Sequence, residues 1–166
     1  MCIRDRNNTE IFDIHTHLFP SSFKTHYLSG IGEVLNYHYL IAELLTSTNI
    51  TPNAFYDLNN KDRAKKIWEE LFIKQTPISE ACKGVLTILS SFEIDYSSKS
   101  FDQINTEYLE LNLSDQDILN RSKISNLVMT NNPFDLEEWK LFEKKDWNSD
   151  VYFASLRLDD ILLEPS

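Results

Sequence analysis

The stretch IFDIHTHLFP at residues 11–20 constrains the fold of this chain more than any other. Its first residues form a short apolar run that predicts a buried strand, and its closing proline cannot continue the interior of a strand. Side chains at i and i+2 of a strand lie on the same face, so His15 and His17 can direct two imidazoles into one site. The stretch therefore predicts a strand that ends in a pair of metal-binding side chains.

Neutral imidazole is a suitable ligand for zinc, manganese or iron, but two histidines do not complete a metal site. A pair of histidines also occurs at protein surfaces or in support of other ligands, and the pattern alone leaves that alternative open. The apolar strand before the pair and Asp13 beside it favour the metal site, because the carboxyl ends of barrel strands are where such sites are built.

Composition limits the class of protein and its partners. The chain has 166 residues, of which 42% are hydrophobic and 25% charged, as is typical of a folded globular protein. Its formal net charge of −10 argues against nucleic-acid partners and anionic membranes. Neither a secretory leader nor an apolar run of roughly 20 residues is present, so a cytoplasmic protein is expected. Cys2 and Cys82 form no metal-binding or redox motif, and Cys82 is predicted to be a buried thiol.

The order of predicted elements indicates an α/β chain. Short apolar runs predict two further strands at Ser125–Thr130 and Val151–Leu156, and helical spacing predicts several helices before them, including one over Glu33–Thr46. This order predicts about three parallel strands, the opening portion of a (β/α)8 TIM-type barrel in residues 11–166, with a large helical insertion after the first strand at about 33–123. A whole barrel takes ~250 residues, so a fragment is expected. Residues 1–10 are expected to be disordered or artefactual, because MCIRDR looks like a translated sequencing adapter.

Three further segments narrow the possibilities: Tyr37–Tyr39 (YHY), Met129–Asp135 (MTNNPFD) and Ser155–Asp159 (SLRLD). Together with the strand and HxH opening, and in the same order, they resemble the uronate (glucuronate) isomerase family of the amidohydrolase superfamily. Their counterparts there are its His-Tyr segment, its Thr-(Asp/Asn)-(Asp/Asn)-Pro segment and its Phe-Arg-Pro-Asp segment. The resemblance runs from about residue 11 to the last residue and implies an N-terminal fragment of a family member. Asn131 and Asn132 depart from the acidic residue that is usual in the second segment, which leaves their role open.

The resemblance implies a function for individual residues. His15 and His17 would bind a divalent metal, zinc or manganese, with a further aspartate from a late strand that this chain does not contain. His38 and Tyr39 would be catalytic, Tyr39 would also contact the substrate, and Arg157 would bind the substrate carboxylate.

The implied reaction is metal-dependent aldose-ketose isomerisation of a small-molecule hexuronate, glucuronate to fructuronate or galacturonate to tagaturonate, an intramolecular oxidoreduction of the EC 5.3.1 type. The chain alone is expected to be inactive, and homo-oligomerisation of a full-length protein stays open.

Two other functions remain open at this stage. A metal-dependent hydrolase of the same superfamily would use the same HxH opening, although the Tyr37–Tyr39 and arginine segments would not be expected in it. A non-catalytic helical binding module would require His15 and His17 to diverge. Without the resemblance, Tyr39 is expected in the core, and Arg157 is expected at the surface in an ion pair with Asp159 or Asp160.

Overall fold

The computed structural model describes residues 9–144, 146–158 and 162–163, with only the backbone of residues 24–26. The first strand and the helical section consist of β1 (Ile11–Thr16), a 3₁₀ turn (Ser21–His26), α1 (Ile31–Leu35), α2 (His38–Ser47), α3 (Pro52–Tyr56), α4 (Asn60–Ile67), a π-helical turn (Trp68–Ile73), α5 (Glu80–Ser91) and α6 (Phe101–Glu110). The remainder consists of α7 (Asp115–Ser122), β2 (Ile124–Met129), α8 (Leu136–Lys144) and β3 (Tyr152–Ala154). No helix in these described ranges combines the length and the apolar character that crossing a bilayer requires.

The three strands form one parallel sheet in the order β1-β2-β3. Parallel neighbours need crossover connections, which the helical section provides between β1 and β2 and α8 provides between β2 and β3. The carboxyl ends of the strands are level, because Thr16 pairs with Met129 and Met129 with Ala154. The prediction of an α/β chain with three parallel strands and a long helical section after the first is confirmed.

One face of the sheet is covered by apolar side chains. The core there consists of Phe19, Phe23, Leu119, Leu127, Met129 and Tyr152. Phe23 makes edge contacts with Phe142 of α8 at 5.2 Å and with Trp147 at 5.4 Å between ring centroids. Burial of each large apolar side chain contributes on the order of 1.5–3 kcal/mol, so this layer holds α8 and the 3₁₀ turn against β2.

The prediction that β1 is a buried strand is wrong for its apolar side chains. Phe12 is 56% exposed and Ile14 is 76% exposed. Leu127, Met129 and Tyr152 take the covered face of the sheet, whereas Phe12 lies across from Phe153 on the other face, with 5.8 Å between their ring centroids. The apolar composition of β1 reflects this second face.

Residues Leu28–Asn112 form a compact unit of helices, and the described residues before and after this range form the unit that contains the sheet. The insertion predicted at about 33–123 overlaps the helical unit, while α7 lies in the sheet unit, where Leu119 enters the core. Trp68 is buried in the helical unit, and its indole N–H donates to the Lys99 carbonyl at 3.2 Å. Cys82 is also buried there, as predicted.

Residues 1–8, on which most of the predicted disordered terminus falls, lie outside the described residues.

The single helix predicted over Glu33–Thr46 is wrong, because the structure has two helices, α1 and α2, that meet at Asn36 and Tyr37. The Asn36 amide donates to the Gly32 carbonyl at 3.0 Å and to the Asn60 carbonyl at 2.8 Å. These bonds fix a turn at Asn36, and Tyr37 then has extended backbone as the N-cap of α2. His38 and Tyr39 therefore begin a helix instead of lying within one.

Candidate active site

β1 contains a bulge between Asp13 and Thr16, in the stretch that includes His15. Asp13 pairs with Leu127 and Thr16 with Met129, so three residue steps on β1 match two steps on β2. The extra residue interrupts the ladder, and the Asp13 carboxylate accepts the backbone N–H of His15 at 3.1 Å. Bulges redirect side chains and are frequent beside active sites. This bulge lies where the chain presents His15.

His15 and His17 lie together at the carboxyl end of β1. Their ring centroids are 5.6 Å apart and the ring planes are inclined by 82°. Both side chains are exposed. The arrangement does not match the diverging imidazoles that a non-catalytic module with a coincidental HxH would need.

Two imidazoles provide half of a tetrahedral zinc ligand set. Within the part of the chain that the structure describes, no group of three or more His, Cys, Asp or Glu side chains could hold a metal ion. The residues thus fit part of a divalent-metal site. Metal binding by His15 and His17 stays a prediction.

Thr130 connects the end of β2 to β1 and to the ring of His17. Its backbone N–H and its hydroxyl both donate to the Thr16 carbonyl at 3.0 Å. The same hydroxyl oxygen lies 3.1 Å from Nδ1 of His17. The motif around Thr130 is visible in the sequence, but no role for the threonine follows from it. Its position directly after β2, beside the end of a parallel β1, was the signal that could have identified it.

Asn131 joins the ends of β2 and β3. Its side chain is 1% exposed. Its Nδ2 donates to the Ser155 carbonyl at 3.2 Å, and its Oδ1 accepts the Ser155 backbone N–H at 2.9 Å. The amide thus makes the two hydrogen bonds that a peptide group would make in a ladder. An ionised aspartate here could not donate to Ser155, which gives a physical reason for asparagine at this position.

Arg157 follows β3, which ends at Ala154 and is shorter than the strand predicted over Val151–Leu156. Arg157 is exposed. Because Thr16, Met129 and Ala154 form one row across the sheet, His17 and Arg157 both follow the same edge. A guanidinium at this edge can bind a carboxylate through two parallel hydrogen bonds. That role for Arg157 stays a prediction.

The segment Tyr37–Tyr39 lies in the helical unit. The ring of His38 lies 4.2 Å from each of its two tyrosine neighbours, measured between centroids. Tyr39 is 60% exposed, so it is not the core residue that would be expected without the resemblance. Burial raises the pKa of the Tyr37 phenol, and the neighbouring Tyr39 raises it further. The catalytic roles of His38 and Tyr39 stay predictions.

Comparison with known proteins bears on these assignments. The sequence matches no family model and no curated protein. A solved structure of a uronate isomerase from Bacillus halodurans C-125 matches the chain with a TM-score of 0.84 and 39% sequence identity, over 94% of this chain and 37% of that one. The chain thus spans little more than a third of the length of that protein. The resemblance predicted from the motifs is confirmed, as is the fold class.

Proposed function

We propose that the chain forms part of a uronate isomerase that interconverts the aldose and ketose forms of a hexuronate, glucuronate with fructuronate or galacturonate with tagaturonate. One observation carries the proposal. The pair of histidines and Arg157 follow the same edge of a parallel sheet. The chain that contains them is 39% identical to a uronate isomerase over 94% of the chain's own residues. A cytoplasmic location is proposed with it, on the composition.

His15 and His17 would hold a divalent metal ion, zinc or manganese, with ligands from outside the described residues. A metal ion bound there would polarise oxygen atoms of the substrate. The protein's contribution is to present the two rings to one position. The bulge held by Asp13 directs His15, and Thr130 contacts the ring of His17.

The isomerisation moves hydrogen from C2 to C1 of the sugar through an enediol, and from O2 to O1, so that reactant and product have the same composition. His38 and Tyr39 are the proposed side chains for hydrogen bonding to the sugar hydroxyls or for carrying these protons. Both side-chain types can donate and accept a hydrogen bond, which proton transfer between neighbouring oxygens requires.

Arg157 would bind the carboxylate of the hexuronate. A bidentate contact between guanidinium and carboxylate is charge-assisted and fixes the orientation of the acid. A site built around such a contact discriminates against a neutral sugar, because its charged donor would stay unpaired. The proposal therefore expects acid sugars to be substrates and neutral aldoses to be poor ones.

The test is an assay of the protein that carries this chain, supplied with Zn²⁺ or Mn²⁺ and incubated with glucuronate, galacturonate and, as a control, glucose. We expect ketose to form from at least one uronate, to stop when a chelator removes the metal, and to be negligible with glucose. Hydrolysis of amide or ester substrates without ketose formation would instead support a hydrolase of the same superfamily and contradict the isomerase proposal.

A further inference from the structure

We propose that Thr130 is a positioning residue that sets the tautomer and the orientation of His17. The inference deepens the proposed function, because it concerns how one of the two proposed metal ligands is held ready. It rests on the contacts of a single hydroxyl group at the end of β2.

The hydroxyl of Thr130 has one hydrogen, so it can donate to only one of its two polar neighbours, the Thr16 carbonyl and the His17 ring. Its oxygen lies 3.0 Å from the Thr16 carbonyl and 3.1 Å from Nδ1 of His17. The carbonyl can only accept, so the hydroxyl must donate there for that contact to be a hydrogen bond. Nδ1 of His17 must then carry a proton and donate to the hydroxyl oxygen.

The opposite assignment satisfies only one of the two contacts. If Nδ1 carried no proton, the hydroxyl would have to donate to it, and two lone pairs would face each other between Thr130 and the Thr16 carbonyl at 3.0 Å. The arrangement with Nδ1 protonated is therefore favoured by about one hydrogen bond. In the neutral ring, the lone pair is then on Nε2.

This tautomer is the one that a ligand through Nε2 requires. Metal-binding histidines generally donate their other ring N–H to a fixed acceptor, which orients the ring and raises its basicity. The backbone N–H of Thr130 also donates to the Thr16 carbonyl at 3.0 Å, so Thr130, the acceptor for the His17 ring N–H, is itself fixed by the pairing of β1 and β2. The pairing of the strands thereby fixes the orientation of the His17 ring through Thr130.

The experiment uses three variants of the protein that carries this chain. Thr130→Val keeps the shape and removes the hydroxyl, whereas Thr130→Ser restores a hydroxyl. Ser125→Ala is the matched control, because the Ser125 hydroxyl also donates from β2 to a β1 carbonyl, that of Ile11 at 3.3 Å, at the other end of the strands. A loss that came only from weaker strand pairing would appear in Ser125→Ala as well.

The first readout is the tautomer of His17, measured by long-range proton–nitrogen NMR of the ring nitrogens at a pH where imidazole is neutral, with the signals assigned through their loss in His17→Gln. We expect protonated Nδ1 and unprotonated Nε2 in the wild type, in Thr130→Ser and in Ser125→Ala. Thr130→Val should lose this preference. The wild-type spectrum alone tests the inference if Thr130→Val fails to fold.

The second readout is the affinity for Zn²⁺, measured by titration calorimetry. Removal of a residue that orients a metal-binding histidine typically weakens metal binding about 10–100-fold. We expect a weakening of this size in Thr130→Val, with affinity close to that of the wild type in Thr130→Ser and Ser125→Ala.

Protonated Nε2 in wild-type His17, or an unchanged tautomer and affinity in a folded Thr130→Val, would overturn the inference. These readouts need no uronate turnover, so the two proposals can fail separately. A protein with the expected tautomer that isomerises no uronate would contradict the proposed function alone. A working isomerase with Nε2 of His17 protonated in the metal-free chain would contradict the role of Thr130 alone.

Discussion

Asn131→Asp replaces a side-chain NH2 group with an oxygen at the junction between β2 and β3 and should destabilise the sheet unit at neutral pH. The new carboxylate can still accept the Ser155 N–H, which Asn131 now accepts at 2.9 Å. It cannot donate to the Ser155 carbonyl, which Asn131 now does at 3.2 Å. The site is buried, so water cannot easily replace the lost donor, and the cost should be about 1–3 kcal/mol.

The effect should depend on pH in a defined direction. Burial and the facing carbonyl both raise the pKa of the introduced carboxyl above its unfolded value, although the Ser155 N–H opposes them in part. A raised folded-state pKa means that the folded variant binds a proton more readily than the unfolded one. Relative to the wild type, the variant should therefore recover stability as the pH falls, because the protonated carboxyl can donate to the Ser155 carbonyl.

Asn126→Asp provides a matched control. Asn126 also donates through Nδ2 to a backbone carbonyl, that of Asp150 at 2.8 Å, but this hydrogen bond is exposed to solvent. Water can take over the lost contact there, so the cost should be under about 1 kcal/mol. The assay is urea unfolding followed by circular dichroism, with the free energies of unfolding compared at pH 7 and about pH 5. Equal costs for the two variants, or a penalty for Asn131→Asp that grows on acidification, would refute the reasoning.

Three further predictions concern single contacts. Arg157→Lys should remove about 1.5–3 kcal/mol of transition-state stabilisation and so lower kcat/KM for the uronate, because lysine keeps the charge but loses the two parallel N–H donors of the guanidinium. Unchanged kinetics would contradict a role for Arg157 in substrate binding. Burial, with Asp115 and Tyr27 adding to it, raises the pKa of Tyr152 to about 12. Tyr152 therefore contributes stability below the unfolded tyrosine pKa of ~10, and this contribution is lost between about pH 10 and 12. Tyr152→Phe should reduce this alkaline loss of stability, measured by urea titrations at several pH values. The same dependence of stability on pH in wild type and variant would contradict the prediction. Ser114→Ala should cost about 0.5–2 kcal/mol in the same urea assay, because Ser114 and Asp117 form the capping box of α7; no change would mean that the cap is not needed.

Local sequence patterns predicted much of the fold. Apolar runs identified all three strands, and their order with the helices between them indicated a parallel sheet, because each strand carried its own signal within a few residues. Ser114 and Asp135 are the N-terminal caps of α7 and α8, and both belong to the residue types that favour this position in any sequence. Such signals are local, so the rest of the chain is not needed to interpret them.

The features that organise the site are not local. The break between α1 and α2 depends on the Asn60 carbonyl, which lies 24 residues from Asn36. The role of Asn131 depends on Ser155, again 24 residues away, and that of Thr130 on Thr16 and His17, more than 110 residues away. The HxH spacing indicated a pair of metal-binding side chains, and the family resemblance implied that Arg157 binds a carboxylate, whereas the hydrogen bonds around these residues follow only from the strand pairing.

The bulge in β1 shows the same limit. A regular strand would place His15 and His17 on one face by simple alternation. The bulge between Asp13 and Thr16 breaks that alternation, and the two rings still lie 5.6 Å apart. Regular alternation predicted that His15 and His17 are neighbours on one face, but it did not predict the bulge in β1.

We propose that His15 and His17 hold the metal ion for isomerisation of a uronate. The most direct measurement is the metal-dependent conversion of glucuronate and galacturonate to ketose by His15→Ala and His17→Ala variants of the protein that carries this chain, with Ser125→Ala as the control and circular dichroism as the check of folding. We predict that both histidine variants fold and lose metal-dependent turnover, while Ser125→Ala retains it. Unchanged turnover in either folded histidine variant would contradict the account.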